Sequence, residues 1–426
     1  MTTPVRAPLW ACAWHWMRNW AVEILVTVLA AWVLTFIGDF VGGATVQVLF
    51  VLATTTALLA PRSRAVLATH LGQRARKRRW KEALRIAVPP PGAPWLLRYR
   101  EDDCGAWADV RTGPGGTVTQ LESRSEAIAA WLAVHDIRIQ RHPTSAGHAC
   151  LRALRSDPLD ADPGRWPWMD RGSTDLWEPV PVGRDETGNE VSIGLAGHNL
   201  LIGGEPGAGK SVALAQIVAA AALDRQTQLF LLDGKLVELA AWRDVANGHA
   251  GTDIHEAIDL LAGVQAEMEA RYHQLLRDGL RKIIPGSALS LVVIDELAHY
   301  ATWLERKARD RFCDLLRDLV SRGRAAGVIV VAATQKPGSD IIPTSLRDLF
   351  GYRWALRCTT PAASDTILGA GWASSNITSH TIAANQRGVG WLHYEAAQPT
   401  RLKAHHLTDV DLQVLASRAL GLRKAI

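Results

Sequence analysis

Cysteine is scarce in this 426-residue chain. There are five (Cys12, Cys104, Cys150, Cys313, Cys358), widely spaced, with no C-x-x-C pair. An odd, scattered set excludes a disulfide framework and a zinc ribbon and fits a reducing compartment. Lysine is scarce too, 9 of the 47 basic residues against 38 Arg, a bias that carries no functional weight. No A-x-A cleavage site follows the first apolar stretch, which argues against a signal peptide. At 48% hydrophobic and 21% charged, the chain is neither a disordered tail nor a fibre. Its length predicts two or three structural units.

The net charge of +5 is unevenly spread. Residues 61–85 carry nine basic side chains (Arg62, Arg64, Arg74, Arg76, Lys77, Arg78, Arg79, Lys81, Arg85) against Glu82, a local +8 that leaves the other residues at −3. Basicity is therefore a local patch, and any nucleic-acid contact must be concentrated in particular loops.

Two apolar runs precede that patch. Ala21–Ile37 carries only Glu23, and Phe40–Ala60 carries no charge. At 1.5 Å per residue, 17 and 21 residues can cross a hydrocarbon core of ~30 Å, the first barely. Neither run has the polar face of a hairpin buried in a soluble core. Gly38-Asp39 joins them without a basic residue, whereas Arg6 and Arg18 precede the pair and the patch follows it. The positive-inside rule then predicts a two-helix hairpin (about 21–37 and 40–60) in the lipid bilayer of the cytoplasmic membrane, a multi-pass protein with both termini cytoplasmic. Trp10, Trp14, Trp16 and Trp20 would form an aromatic belt at the inner interface. The patch itself reads as a topology signal with anionic-lipid contact in preference to a DNA site.

Further organisation follows from punctuation. Residues 61–94 read as a basic juxtamembrane segment ending in a stiff Pro-rich spacer, Val88–Pro94. Residues 95–156 read as a small α/β adaptor, with strands at Trp95–Arg100 and Trp107–Arg111 and a helix at Ser123–His135 opened by Ser123 and Glu126. His135, His142 and His148 lack metal-ligand spacing. Five prolines make 157–181 a second linker. A motor at 182–410 and a tail at 411–426 complete the plan.

The motor holds the chemistry. After the apolar strand Asn199–Gly203 comes Gly204-Glu205-Pro206-Gly207-Ala208-Gly209-Lys210-Ser211, which is G-x-x-x-x-G-K-S. Val212–Ala222 is a strong helix former. Glycines admit backbone N–H groups to phosphates, and the helix N-terminus adds partial positive charge. Lys210 would reach the β- and γ-phosphates of ATP, and the Ser211 hydroxyl would ligate Mg²⁺. Strand Leu289–Ile294 ends in Asp295-Glu296. Asp295 can hold Mg²⁺ through water, while Glu296 can orient and deprotonate an attacking water. A plain capping pair before the next helix is the less favoured reading. Leu229–Leu232 ends in Asp233-Gly234-Lys235, and Val328–Ala333 in Thr334-Gln335-Lys336, which places Gln335 to sense the γ-phosphate or the water. Strands alternating with helices predict an α/β fold, a RecA-like P-loop NTPase with a parallel sheet.

Residues from about 180 to 395 resemble the motor of the FtsK/SpoIIIE family of double-stranded DNA translocases, within the HerA-type group. The resemblance rests on Pro181–Arg184 and Gly188, His198–Leu201, Asp233-Gly234-Lys235-Leu236-Val237-Glu238-Leu239, Glu267-Met268-Glu269-Ala270-Arg271-Tyr272, Gly323–Gly327, Ala333–Pro337 and Thr366-Ile367-Leu368. It implies a homo-hexameric ring around double-stranded DNA. Arg324 matches an arginine finger acting in trans, and Lys336 and Arg347 match pore-loop contacts to DNA phosphates. Against these stand a surface arginine and solvated loop charges.

Departures refine this. Ser364-Asp365-Thr366 stands where the family has Ser-Arg-Thr, so a pore contact is lost or reversed. Only about thirty residues follow Gly388–His393, which predicts no sequence-reading winged-helix domain. The compact plan resembles the transfer (Tra) proteins of actinomycete conjugative plasmids, so the expected role is conjugative transfer between cells or chromosome segregation, a choice the sequence leaves open. Two alternatives are a type VII protein-secretion ATPase, which usually carries several motors, and a type IV conjugative coupling protein, which carries a separate all-helical domain.

Overall fold

The computed structural model describes residues 61–424 except Asp103, Cys104, Pro143, Lys336, Ser339, Asp340 and Ile342. The expected membrane hairpin lies outside the described residues. Among the described residues no helix is long and apolar enough to cross a membrane. The chain divides into two compact units, Met1–Ala153 and Leu154–Ile426.

In the first unit, α1 (Pro61–Ala87) is followed by β1 (Trp95–Asp102), β2 (Gly105–Arg111), α2 (Val118–Glu122), α3 (Ser125–Leu132), β3 (Asp136–His142) and β4 (Ser145–Leu154). The strands form one sheet in the order β1-β2-β4-β3. The basic segment is thus not a detached linker. Its end folds into this unit, because Trp80, Ala83, Leu84, Ala87 and Val88 are buried while Lys77, Lys81 and Arg85 stay exposed. The helix expected from Ser123 starts at Ser125 without a side-chain cap. A capping box sits earlier: Thr117 Oγ1 accepts from Gln120 N, and Gln120 Oε1 accepts from Thr117 N.

The second unit contains β5 (Val180–Asp185), β6 (Glu190–Ile193), β7 (Leu200–Gly203), α4 (Lys210–Leu223), β8 (Gln228–Leu232), a 3-10 turn (Ala240–Val245), β9 (Gly248–Ala250) and α5 (Ile254–Arg277). There follow β10 (Ser290–Ile294), α6 (Leu297–Ala301), α7 (Arg306–Ala326), β11 (Val328–Thr334), α8 (Thr344–Arg347), β12 (Tyr352–Leu356), α9 (Pro361–Leu368), β13 (Val389–Tyr394), β14 (Thr400–Ala404) and α10 (Asp409–Lys424). Ten strands make one sheet, β6-β5-β14-β13-β12-β7-β11-β10-β8-β9. From β12 to β9 neighbours run parallel, and from β12 to β6 they run antiparallel, so the expected parallel sheet carries an antiparallel flank.

Uninterrupted apolar strands such as Ser290–Ile294 and Val328–Thr334 are buried throughout, as central parallel strands covered on both faces must be. Alternate residues feed different cores. Leu291 and Val293 join the face packed by α4 and Trp242, whereas Val292 and Ile294 join the face packed by α5 and α7. Helix α7 buries Phe312, Leu315, Leu316, Leu319 and Val320 at helical spacing and ends at Gly327, whose φ of 74° makes a left-handed cap.

Two sequence expectations yield here. Residues 157–181 are not a linker, because Trp166, Trp168, Met169 and Leu176 belong to the core of the second unit. Prolines mark irregular backbone but do not stop large apolar side chains from seeking burial. The described part of the expected 411–426 tail, residues 411–424, is not a tail either. Helix α10 buries Leu415, Ala416 and Ala419, and Arg423 donates to the carbonyls of Ala221, Ala222, Asp224 and Thr227, satisfying acceptors at the end of α4.

The former linker is also fastened by charge. Asp157 accepts from Arg401 Nη1 at 3.0 Å and Nη2 at 2.6 Å, with Gln386 and Glu186 completing the group. Burial works to raise the Asp157 pKa, but hydrogen bonds from Arg401, Leu159 N and Gln386 prevail and hold it at about 2. A depressed pKa contributes stability above the unfolded value and loses it as pH falls through the folded one. We expect about 2 kcal/mol to disappear between roughly pH 4 and pH 2. Thermal unfolding across that range should show a shallower acid dependence in Asp157→Asn than in the parent, and identical slopes would refute the assignment.

Candidate functional site

Strand β7 delivers the chain to the loop Gly204–Gly209 at its carboxyl end. Glu205 N donates to Arg357 O at 2.9 Å, and Gly388 N donates to Ala208 O at 2.9 Å. Gly209 has φ 105°, and a Cβ there would meet Gly388 N at 2.6 Å, so only glycine fits. Helix α4 then begins with no side-chain cap, leaving first-turn N–H groups for an anion. Lys210 is 7% exposed and donates to Gly204 O at 2.7 Å and Glu205 O at 3.0 Å. Burial lowers its pKa to about 8, against the opposing charge of Glu296.

Two acids close the site from the end of β10. Asp295 Oδ1 accepts from Gly234 N at 2.8 Å, while its buried Oδ2 has no hydrogen-bond partner. Burial raises the Asp295 pKa to about 6, with Gly234 N–H and Lys235 working against it. Glu296 Oε1 accepts from Thr334 Oγ1 at 3.0 Å and Gln335 N at 2.9 Å, which fixes the carboxylate. Lys235 Nζ stands 3.4 Å from Glu296 and 3.9 Å from Asp295. The ends of β7, β8, β10 and β11 thus bring one lysine pair and two carboxylates to one edge of the sheet.

A divalent cation fits this donor set. Asp295 Oδ2 is an orphaned buried acceptor, and the Ser211 hydroxyl is exposed at the start of α4. Among the described residues no three His, Cys, Asp or Glu side chains could hold a metal by themselves. A Mg²⁺ bound here would take most of its ligands from phosphate and water.

Residues 174–368 match the model of the FtsK/SpoIIIE family. The chain carries an FtsK/SpoIIIE domain. Curated relatives include DNA translocase FtsK of Staphylococcus epidermidis, 25% identical over 343 residues (74% of this chain, 41% of the relative). The FtsK of Listeria monocytogenes is 25% identical over 349 residues (74% of this chain, 44% of the relative). The chain therefore spans about two fifths of the length of these relatives. Among solved structures, the pCW3 conjugation coupling protein TcpA, in monomer form with ATPγS, is similar with TM-score 0.55 and 20% identity, covering 82% of this chain and 99% of that one. This likeness is one of fold.

Inside the FtsK/SpoIIIE domain, the predicted Gly204–Val212, Asp295, Glu296 and Gln335 come together. Arg324 does not join them. It is exposed near the end of α7, and its Cγ lies 3.6 Å from the Cβ position of Gly197, just before β7, at the opposite edge of the sheet from the phosphate loop. Lys336 lies outside the described residues. Arg347 is 12% exposed and pairs with Asp348 at 2.7 Å, a carboxylate it shares with Arg353 at 3.5 Å. Asp365 accepts from Gly371 N at 3.1 Å and Ala373 N at 2.9 Å, which gives the departure from Ser-Arg-Thr a turn-forming role.

Sequence reasoning missed three contributors. Lys235 and Thr334 both stand at strand ends it had marked, and that position was the available signal. Arg357 pairs with Glu205 of the loop across sequence distance, which no local pattern shows. Other family-like residues prove architectural. Arg271 ties α5 to Gln228 Oε1, Ser290 Oγ and Ala326 O, and Asn199 bridges Val320 O and Val330 N.

Proposed function

We propose that the chain is an ATP-driven translocase of double-stranded DNA. On this reading it is anchored in the cytoplasmic membrane by the hairpin at 1–60, works as a homo-hexameric ring and serves conjugative transfer. The observation that carries the proposal is the assembled constellation of Lys210, Asp295 and a fixed Glu296 inside an FtsK/SpoIIIE domain. The curated relatives named as DNA translocases support the cargo, and the likeness to a conjugation coupling protein supports the setting.

In the proposed cycle, Lys210 exchanges its two loop carbonyls for the β- and γ-phosphates, and the uncapped N–H groups of α4 take phosphate oxygens. Mg²⁺, held by Ser211 and through water by Asp295, would supply charge neutralisation between the phosphates. Glu296, immobilised by Thr334 and Gln335, orients the attacking water and accepts its proton. Lys235 offsets part of the charge of the two carboxylates before nucleotide enters. Arg324, remote from its own phosphate loop, completes a neighbour's site in the ring.

ATP hydrolysis should rise when linear duplex DNA is added to the full chain in detergent or vesicles. Stimulation by single strands alone would favour the coupling-protein reading, and indifference to both would remove DNA as cargo.

A further inference from the structure

One face of the sheet in the first unit has no part in its core. The cross-strand pairs Leu96 with Val110 and Tyr99 with Ala108 pack on the side covered by α1 and α3. A bulge between Leu96 and Arg98 shifts the register, and this turns Arg98 and Arg100 to the other side. There the pairs are Trp95 with Arg111, Arg98 with Asp109 and Arg100 with Trp107. By the same alternation β3 and β4 add Arg138, Gln140, His142, His148 and Arg152, since Ile137, Ala149, Leu151 and Ala153 lie in the core. Arg138 pairs with Asp136 at 2.9 Å, and Arg152 lies 4.6 Å from the centre of the Trp107 ring. Arg98, Arg100 and Arg111 are exposed and, among the described residues, make no side-chain hydrogen bond or ion pair. Trp95, opposite Arg111, is 57% exposed. A cavity of about 500 Å³ opens on the same side and crosses all four strands, lined by Leu97, Arg98, Asp109, Gln140, His142 and His148. The Nε2 of His148 is buried with no hydrogen-bond partner.

We propose that this sheet face binds single-stranded nucleic acid, with the three arginines on its phosphates, Trp95 under one base and a second base in the cavity. The inference stands apart from the nucleotide chemistry and the duplex cargo proposed for the second unit. Three guanidinium groups without partners on one face require a partner with several negative charges in a row. A duplex would meet the arginines alone, because its bases are stacked inside and can neither lie on Trp95 nor enter the cavity. An anionic lipid surface would satisfy the charges and the indole, but it has nothing to place in a polar cavity. A single strand offers phosphates, base faces and base edges together. Asp109 and Gln140 present acceptors and a donor to a base edge. That edge also gives the buried His148 Nε2 the partner it lacks.

Photocross-linking of the full chain in detergent, with a short oligodeoxynucleotide carrying 5-iodouracil, tests this and locates the contact. The label should fall on peptides within 95–111 or 138–152. The combined change Arg98→Ala, Arg100→Ala and Arg111→Ala should lower that yield about tenfold or more. It should also flatten the log–log salt dependence by about 2, at ~0.7 for each lost single-strand phosphate contact. Trp95→Ala should lower the yield at 138–152 about tenfold, the worth of one stacked base. Lys77→Ala, Lys81→Ala and Arg85→Ala together remove the same charge from exposed positions of α1, on the covered side of the sheet, and should leave the label unchanged. A label confined to the second unit, or an equal loss from the α1 changes, would overturn the proposal. So would suppression by unlabelled duplex, or by phosphatidylglycerol micelles, as effective as suppression by unlabelled single strand.

Discussion

Glu296→Gln is expected to bind ATP normally and to lose about 10²- to 10⁴-fold in kcat, the usual worth of a positioned general base. The geometry makes the substitution selective. Oε1 is held by Thr334 Oγ1 and Gln335 N, both donors, and a glutamine carbonyl can keep both bonds. What vanishes is the second oxygen's ability to take a proton, so the fold and phosphate grip should survive. Single-turnover hydrolysis with duplex DNA, beside ATPγS binding, separates the two effects. A variant with near-parental turnover would reduce Glu296 to a strand-end cap, the reading disfavoured from sequence.

Arg324→Ala is expected to lower turnover by about 10³-fold or more, the range for a missing arginine finger. The argument is positional. In its own chain Arg324 lies beside Gly197, at the edge where β7 begins, while the phosphate loop follows the end of β7. It cannot serve the site it is encoded with, so it serves a neighbour's or none. Mixing decides between these. Arg324→Ala and Lys210→Ala chains are each inactive alone, yet together each can lend what the other lacks. Recovered hydrolysis on mixing would place Arg324 in trans, and full activity of Arg324→Ala alone would end the idea.

How much of the site was legible beforehand follows from how local each signal is. The phosphate loop is a backbone device written in consecutive residues, so glycine spacing and the following helix former were enough. The acids at 295 and 296 were legible because a buried strand has to end before a charged pair. Lys235 and Arg357 were harder, since their meaning depends on which strand ends are adjacent. In a doubly covered sheet that adjacency is set by pairing order, which places β8 next to β10 and β12 next to β7.

The sequence by itself determined the nucleotide chemistry, the apolar central strands and the amphipathic helices, because hydrophobic periodicity and glycine placement act over a few residues. Tertiary structure alone decided that 157–181 and 411–424 contribute to the core of the second unit and that Arg347 pairs with Asp348. It also decided that Arg324 faces away from its own phosphate loop. Those outcomes depend on burial and charge pairing between segments far apart in the chain, where proline counts and motif positions are silent.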